Sequence, residues 1–327
     1  MSDEYISNIK NIKSETKNHL YIQEEVEKFD INDLKTIEKT DIFYTPYKNP
    51  LDEIVDSINE AKETVYISSY IFTEKRIKNA SINAHKRWLD VKIIMEKNPY
   101  MAYNINNNFY DEFQKKWIQT VWSNTNNYWL NHAKFLLIDD LSIISTWNIS
   151  YSTFTKNRDF FVITKDDSIN KKLYELFLID FEWKKEDIYH PNLVLSPNYS
   201  RTKIFELINN SKKEIKIYIQ YFNDISIVNE LIKIKKEKDI NITAIIAETS
   251  INDKNTKKLI DNWIKIKALE KNKMHSKAIL VDSDILFIGS VNFSKQSFDK
   301  NRELWILLKD KNIISKFNNQ FNKDLKD

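Results

Sequence analysis

Two short stretches of this chain repeat the same reactive side chains at the same spacing. His132, Lys134 and Asp139 in NHAKFLLIDD return as His275, Lys277 and Asp282 in MHSKAILVDS. Each set is followed by a hydroxyl residue, Thr146 or Ser290, by an asparagine, Asn148 or Asn292, and by an Asn-Arg-acid triplet ending in Asp159 or Glu303. Side chains alternate along an extended strand, so His132 and Lys134 project together while Ala133 and Phe135 point the other way. A histidine can attack phosphorus or carry a proton near neutral pH, and a lysine beside it supplies positive charge for phosphate oxygens. Asn148, Asn292 and the hydroxyls of Thr146 and Ser290 add neutral donors to the same site. One such motif could arise by chance, but two at equivalent places in a repeat carry weight.

The elements that must position these residues also repeat. LDEIVDSINEAKE places Leu51, Ile54, Val55, Ile58 and Ala61 at helical spacing and runs into the strand-like TVYISSYIF. Thr73 is expected to cap the next helix. VKIIME reads as a short buried strand, FYDEFQKKW as a helix, IQTVW as a strand, and HAKFLLID as the motif strand. In the second half RTKIFELINNSKKE matches the first helix, IKIYIQYF matches VYISSYIF, NITAIIAE matches VKIIME, and KKLIDNW precedes IKIKAL as FQKKW precedes IQTVW. This alternation predicts an α/β fold of two tandem, similar α/β sandwich domains, each with a mixed, largely parallel sheet. HPNLVLSP, from His190, marks the boundary: 1–40 as an N-terminal extension with a helix over 21–29, 41–190 as the first domain, 191–327 as the second.

With 327 residues, 42% of them hydrophobic and 13% aromatic, the chain can fill two cores. No window approaches the roughly 18 to 20 apolar residues of a membrane span, and the N-terminus is too polar for a secretory signal. A net charge of +3 lacks the bias of a dedicated nucleic-acid binder. The absence of cysteine rules out disulfides and thiolate chemistry. These features make a cytoplasmic or membrane-peripheral location the expectation.

HAKFLLID, and HSKAILVD followed by GSVN, resemble the paired HKD motifs of the phospholipase D superfamily over residues 41–310. The resemblance implies two α/β domains about a pseudo-twofold axis, both motifs in one cleft, no metal or other cofactor, and a covalent phosphohistidine intermediate. It assigns His132 as nucleophile and His275 as general acid and base. Lys134, Lys277, Asn148 and Asn292 would bind the nonbridging oxygens. Asp139 and Asp282 have odd parity relative to their histidines and, by the resemblance, support the histidine network after the strand turns. Asp159 and Glu303 resemble the downstream acids that orient the histidines; the alternative is a surface ion pair with the adjacent arginine. The expected substrate is a phospholipid at a membrane surface, since two motifs in one chain let a monomer form a complete site. Nucleic acid is the second reading and a non-catalytic scaffold the third. Nothing in the sequence is visibly amphipathic enough to dock on lipid. Tyr70 and Tyr221 either line the cleft or pack in the core, while His19, His85 and His190 have no comparable partners.

Glycine is nearly missing. Gly289 stands alone where average usage of about 7% would supply on the order of twenty. Trp88, Trp117 and Trp263 occur where helices should end in a left-handed residue, normally glycine. The second motif has GSVN where the first reads Ser145, Thr146, Trp147, Asn148, so the glycine is absent and a bulky ring sits beside Asn148, and Trp305 stands where the resembled family commonly has glycine. A UGA codon that the cell reads as glycine at some or all of these positions would account for part of the deficit, the alternative being an aromatic-rich, drifted sequence, and Trp147 would otherwise crowd the first motif.

Overall fold

The computed structural model describes residues 33–46 and 50–327, so the helix expected over 21–29 lies outside the described residues. The first half contains β1 (Thr40–Thr45), α1 (Pro50–Glu60), β2 (Thr64–Ser69), α2 (Lys75–Lys86), β3 (Asp90–Met95), α3 (Asn107–Lys115) and β4 (Gln119–Trp122). It continues through β5 (Phe135–Ile138), β6 (Leu141–Ser145), α4 (Tyr151–Thr155), β7 (Asn157–Thr164) and α5 (Asp167–Phe181). The second half repeats the order with β8 (Leu193–Ser196), α6 (Ser200–Asn209), β9 (Glu214–Tyr218), α7 (Ile225–Lys238), β10 (Asn241–Ala247), α8 (Lys254–Asp261), β11 (Lys265–Leu269) and β12 (Lys273–Met274). It ends with β13 (Ala278–Val281), β14 (Ile285–Gly289), α9 (Lys295–Asp299), β15 (Glu303–Leu308) and α10 (Lys311–Lys326).

Among the described residues these strands form two sheets of matching order, β1-β7-β6-β5-β2-β3-β4 and β8-β15-β14-β13-β9-β10-β11. The mixed sheet is as expected, but its largely parallel character is not. Only β2-β3-β4 and β9-β10-β11 run parallel, and every other neighbouring pair in these two orders is antiparallel. The reason lies in the motif strands, which turn back within two or three residues, and so tight a turn permits only antiparallel pairing. The edge strands β1 and β8 were not expected from the sequence, nor were α5 and α10.

Asp139 makes the first of those turns possible. It takes a left-handed backbone, as Asp282 does at the equivalent turn, a conformation that aspartate tolerates better than most residues. Its carboxylate accepts the backbone N–H groups of Lys62, Glu63 and Thr64 at 2.7–2.9 Å. Asp282 does the same for Lys212, Lys213 and Glu214 at 2.7–3.0 Å. Burial favours the neutral acid of Asp139, but the three N–H donors outweigh it and hold the group below the usual carboxylate range. The expected cap of α2 also differs. Glu74, not Thr73, accepts the Arg76 N–H at 3.0 Å.

The halves share a core. Phe160 of β7 stacks obliquely on Tyr218 of β9 and Phe317 of α10, with centroids 5.2 and 5.3 Å apart. Leu34 and Ile37, from the stretch assigned to the extension, are buried in the same cluster. Backbone pairing crosses the interface as well: β12 adds to β7, and Asn131 bridges Arg302.

Candidate active site

His132 and Lys134 do not lie on β5 itself but on the extended lead-in before Phe135, at the carboxyl end of β2. His275 and Lys277 precede β13 in the same way. The carboxyl ends of parallel strands are where α/β sheets place their ligand sites. Each lead-in is held by the opposite half, because the His132 N–H donates to Arg302 O at 2.8 Å and the His275 N–H to Arg158 O at 3.2 Å.

The side chains cross over in the same manner. His132 Nδ1 lies 2.7 Å from Glu303 Oε2, and His275 Nδ1 lies 2.8 Å from Asp159 Oδ1. Each imidazole therefore takes its acid from the other repeat. A carboxylate on Nδ1 fixes the proton there and leaves the Nε2 lone pair for chemistry. Burial pushes His132 down to about 4 against the pull of Glu303, and pushes His275 down against Asp159. Burial also disfavours the ionised acids, but their histidine and lysine neighbours prevail and keep Asp159 and Glu303 below their ordinary values.

Lys134 is almost fully buried and donates its ammonium to His132 O at 2.5 Å. Lys277 donates to His275 O and reaches both His275 Nε2 and Thr146 O at 3.4 Å. Burial pulls Lys134 well below the usual lysine value and Lys277 down to about 8. Two desolvated cations in one site stand ready for an anion. The Oδ1 atoms of Asn148 and Asn292 are buried without a protein partner among the described residues; as acceptors they await a donor such as a ligand hydroxyl, and only the Nδ2 groups can serve a phosphate oxygen.

Thr146 and Ser290 are spent elsewhere. The Thr146 hydroxyl donates to Asp159 Oδ1 at 2.7 Å, and the Ser290 hydroxyl contacts β15, with its oxygen accepting the Leu304 N–H at 3.0 Å. They hold the strand that carries the acid and are closed to solvent. Asp139 and Asp282 sit at the far ends of β5 and β13 from the histidines, engaged with backbone, so their expected place in the histidine network is not where the structure puts them. The ion pair between each acid and its adjacent arginine is likewise absent. Arg158 instead grips Asp324 of α10 through Nε and Nη2 at 2.7 and 2.9 Å, and Arg302 grips Asp180 of α5 at 3.1 and 2.8 Å.

Several supporting residues were given no role from the sequence or only an open one. Asn157 and Asn301 donate to Asp159 and Glu303 at 3.3 and 3.0 Å, completing the acids' second oxygens. The doubled triplet is the one clue that could have found them. Glu96, ending β3, is buried and accepts the Ser123 hydroxyl and the Asn131 N–H at 2.6 and 2.8 Å, anchoring the first motif. Tyr70 packs edge-on against His132, with centroids 4.6 Å apart, and lies under the Lys134 ammonium. Trp147 does not crowd the cleft; its ring turns into the core against Phe154 and Phe161. His190 is buried between Ser168 and the Asn192 N–H. No three His, Asp or Glu side chains among the described residues converge to hold a metal ion.

This duplicated site, with one histidine and one lysine from each repeat, defines a class of two-motif, histidine-based phosphodiester chemistry. The family model for "Cardiolipin synthase, PLD-like domain" matches residues 54–180 and 204–325, and the chain belongs to that family. It is 25% identical over 332 residues to a cardiolipin synthase of Clostridium perfringens, covering 84% of this chain and 68% of that protein. The phosphatidylserine synthase of Haemophilus influenzae shares the fold with a TM-score of 0.70 at 14% identity, covering 91% of this chain and 90% of that one. The polyphosphate kinase of Porphyromonas gingivalis also has a TM-score of 0.70, at 15% identity over 88% of this chain and 51% of its own.

Proposed function

We propose that the protein transfers a phosphatidyl group between alcohols, or to water, through a phosphohistidine formed on His132. The observation that carries this reading is the reciprocal bonding of each histidine to the other repeat's acid. His132 Nε2 attacks the phosphorus of a phospholipid, the bond to the leaving alcohol breaks, and His275, which enters the step as an imidazolium with a proton on each ring nitrogen, gives that alcohol its Nε2 proton. His275 then takes a proton from an incoming alcohol or water, whose oxygen displaces His132 and restores both histidines. Lys134, Lys277, Asn148 and Asn292 hold the nonbridging oxygens, and Asp159 and Glu303 fix the tautomers. Asp139 and Asp282 act through the fold, holding the hairpins that carry the motifs. The order of roles rests on an asymmetry: Lys277 Nζ lies 3.4 Å from His275 Nε2, so the freer Nε2 of His132 is the better placed nucleophile.

Membership of a cardiolipin synthase family and the likeness to a cardiolipin synthase support phospholipid over nucleic acid as substrate. No helix among the described residues is long and apolar enough to cross a membrane, which fits a chain that approaches lipid from outside the bilayer. Both repeats belong to one chain, so a monomer is the proposed working unit, with 41–190 and 191–327 as its two domains.

The test offers labelled phosphatidylglycerol, single-stranded DNA and double-stranded DNA separately to the protein and to His132→Ala and His275→Ala. Conversion of the lipid alone, lost in both variants, is expected. Cleavage of DNA with the lipid untouched would replace this reading with a nuclease.

A further inference from the structure

We propose that residues 97–105 form a docking loop that seats the cleft on an anionic phospholipid bilayer, an inference that rests on the lipid reading above. This loop leaves the carboxyl end of β3, the edge of the sheet that carries His132. It presents four large apolar or aromatic side chains to solvent: Tyr100, Met101, Tyr103 and Ile105 are 70%, 82%, 67% and 42% exposed. Four such side chains within six residues exceed the scattered exposure of an ordinary surface.

The presentation is built rather than floppy. At one end Glu96 is buried and bonded; at the other Asn106 is buried, its Nδ2 donating to Tyr70 O and Glu96 O at 2.8 Å and its Oδ1 accepting the Phe72 N–H at 2.9 Å. Between them, left-handed backbone at Met101 and Asn104 turns the chain outward. The loop is also tied to the chemistry, because the Tyr100 N–H donates to the Tyr70 hydroxyl at 2.6 Å and the Tyr70 ring packs on His132. The partner's chemistry follows from the charge in the loop and on the segments that follow the motif strands. Lys97 is exposed within the loop, Tyr151 and Lys156 are exposed on and just after α4, Ile225 is exposed at the start of α7, and Lys295 and Lys300 are exposed at the two ends of α9. Apolar side chains with interspersed lysines suit an interface of acyl chains and anionic headgroups. No amphipathic helix was visible in the sequence because the docking element is a loop, with no helical period to detect.

The test mixes the full chain and the triple variant Met101→Asn, Tyr103→Ser, Ile105→Ser with vesicles of equal parts phosphatidylglycerol and phosphatidylcholine and measures co-sedimentation. The variant should lose at least about tenfold in vesicle partition and should still convert a short-chain phosphatidylglycerol kept monomeric in solution. Equal partition of variant and wild type, or no partition of the wild type, overturns the docking loop. Failure of the lipid reading itself looks different: neither protein converts the monomeric lipid, while vesicle partition still decides the loop.

A second inference stands on separate observations, and none of the docking residues is tryptophan. We infer that Trp88, Trp117, Trp183 and Trp263, together with Trp147 and Trp305, are glycine in the protein the cell makes, through a UGA codon read as glycine. The first four have φ of 71°, 60°, 59° and 63° and follow α2, α3, α5 and α8 directly after the cap residue. In each case the next N–H returns to the carbonyl five residues earlier, as Leu89 does to Ala84, Ile118 to Phe113, Lys184 to Ile179 and Ile264 to Leu259. That is the Schellman ending, whose left-handed position belongs to glycine. The indoles of Trp88, Trp117 and Trp263 lie in solvent, and that of Trp183 is half exposed with its N–H on Trp122 O at 3.2 Å. Trp147 and Trp305 show the opposite fault, with buried indole Nε1 atoms that have no partner among the described residues.

Tandem mass spectrometry of the protein purified from its native cell should find glycine at these positions, encoded by UGA. Tryptophan in those peptides, or UGG codons in the gene, would end the idea.

Discussion

Neither histidine is completed by its own repeat, and this sets what single substitutions do. Glu303→Gln can no longer accept the His132 Nδ1 proton as a carboxylate, and Asp159→Asn does the same to His275. Each is expected to cost on the order of 10²–10⁴ in kcat with a small change in KM, the pattern of an acid that orients a catalytic histidine. Steady-state kinetics on monomeric lipid reads this split. The acid limb of kcat/KM is a second outcome. Burial places His132 at about 4, so the free enzyme should stay active well below the ordinary histidine value and lose rate only as the pH falls through about 4. A limb near 6.5 would mean that the nucleophile is an exposed imidazole. At this scale the sequence was legible wherever spacing repeated: the histidines, lysines, asparagines and acids were all visible. The crossing was not, because the partners lie 171 and 116 residues apart, and neither was the turning of Thr146 toward Asp159, since a hydroxyl's direction leaves no trace in the sequence.

The hairpin turns are the elements that bring each motif to the cleft. Asp139→Ala leaves three backbone N–H groups at the start of β2 without their acceptor. A loss of about 1–3 kcal/mol is expected, read from the urea midpoint, with kcat per folded molecule nearly unchanged. A loss of kcat without loss of stability would return Asp139 to the chemistry. Helical spacing announced α1, a cap signal at Thr73 announced α2 one residue early, and the doubled order of elements announced the repeat. The parallel expectation failed because alternating helices and strands cannot reveal that β5–β6 and β13–β14 are hairpins. The edge strands β1 and β8 were missed for a related reason: DIFYT and LVLS are too short to show a period and acquire their pairing from β7 and β15.

Across the whole molecule, each half is clamped by an arginine of the other. Arg158 reaches α10 and Arg302 reaches α5, and Arg302 also meets Tyr128 and Asp187. Arg302→Met would leave Asp180 and Asp187 buried without their cation, a change expected to cost about 3–5 kcal/mol in chemical denaturation. Activity should fall with it, because the same strand carries Glu303. The repeat made two similar halves legible, and a shared cleft followed from the family resemblance, but the interface itself is built from contacts that only the assembled chain possesses. The account's central claim is that one composite site works by covalent transfer through His132. It is tested most directly by mixing the enzyme with a phosphatidyl substrate labelled in its phosphate, quenching within a turnover, and locating the label by tandem mass spectrometry. The label should sit on His132 in the wild type, vanish in His132→Asn, and accumulate on His132 in His275→Asn when the leaving group is an activated phenol needing no proton. Label on His275 in the wild type, or steady turnover with neither histidine ever labelled, would contradict it.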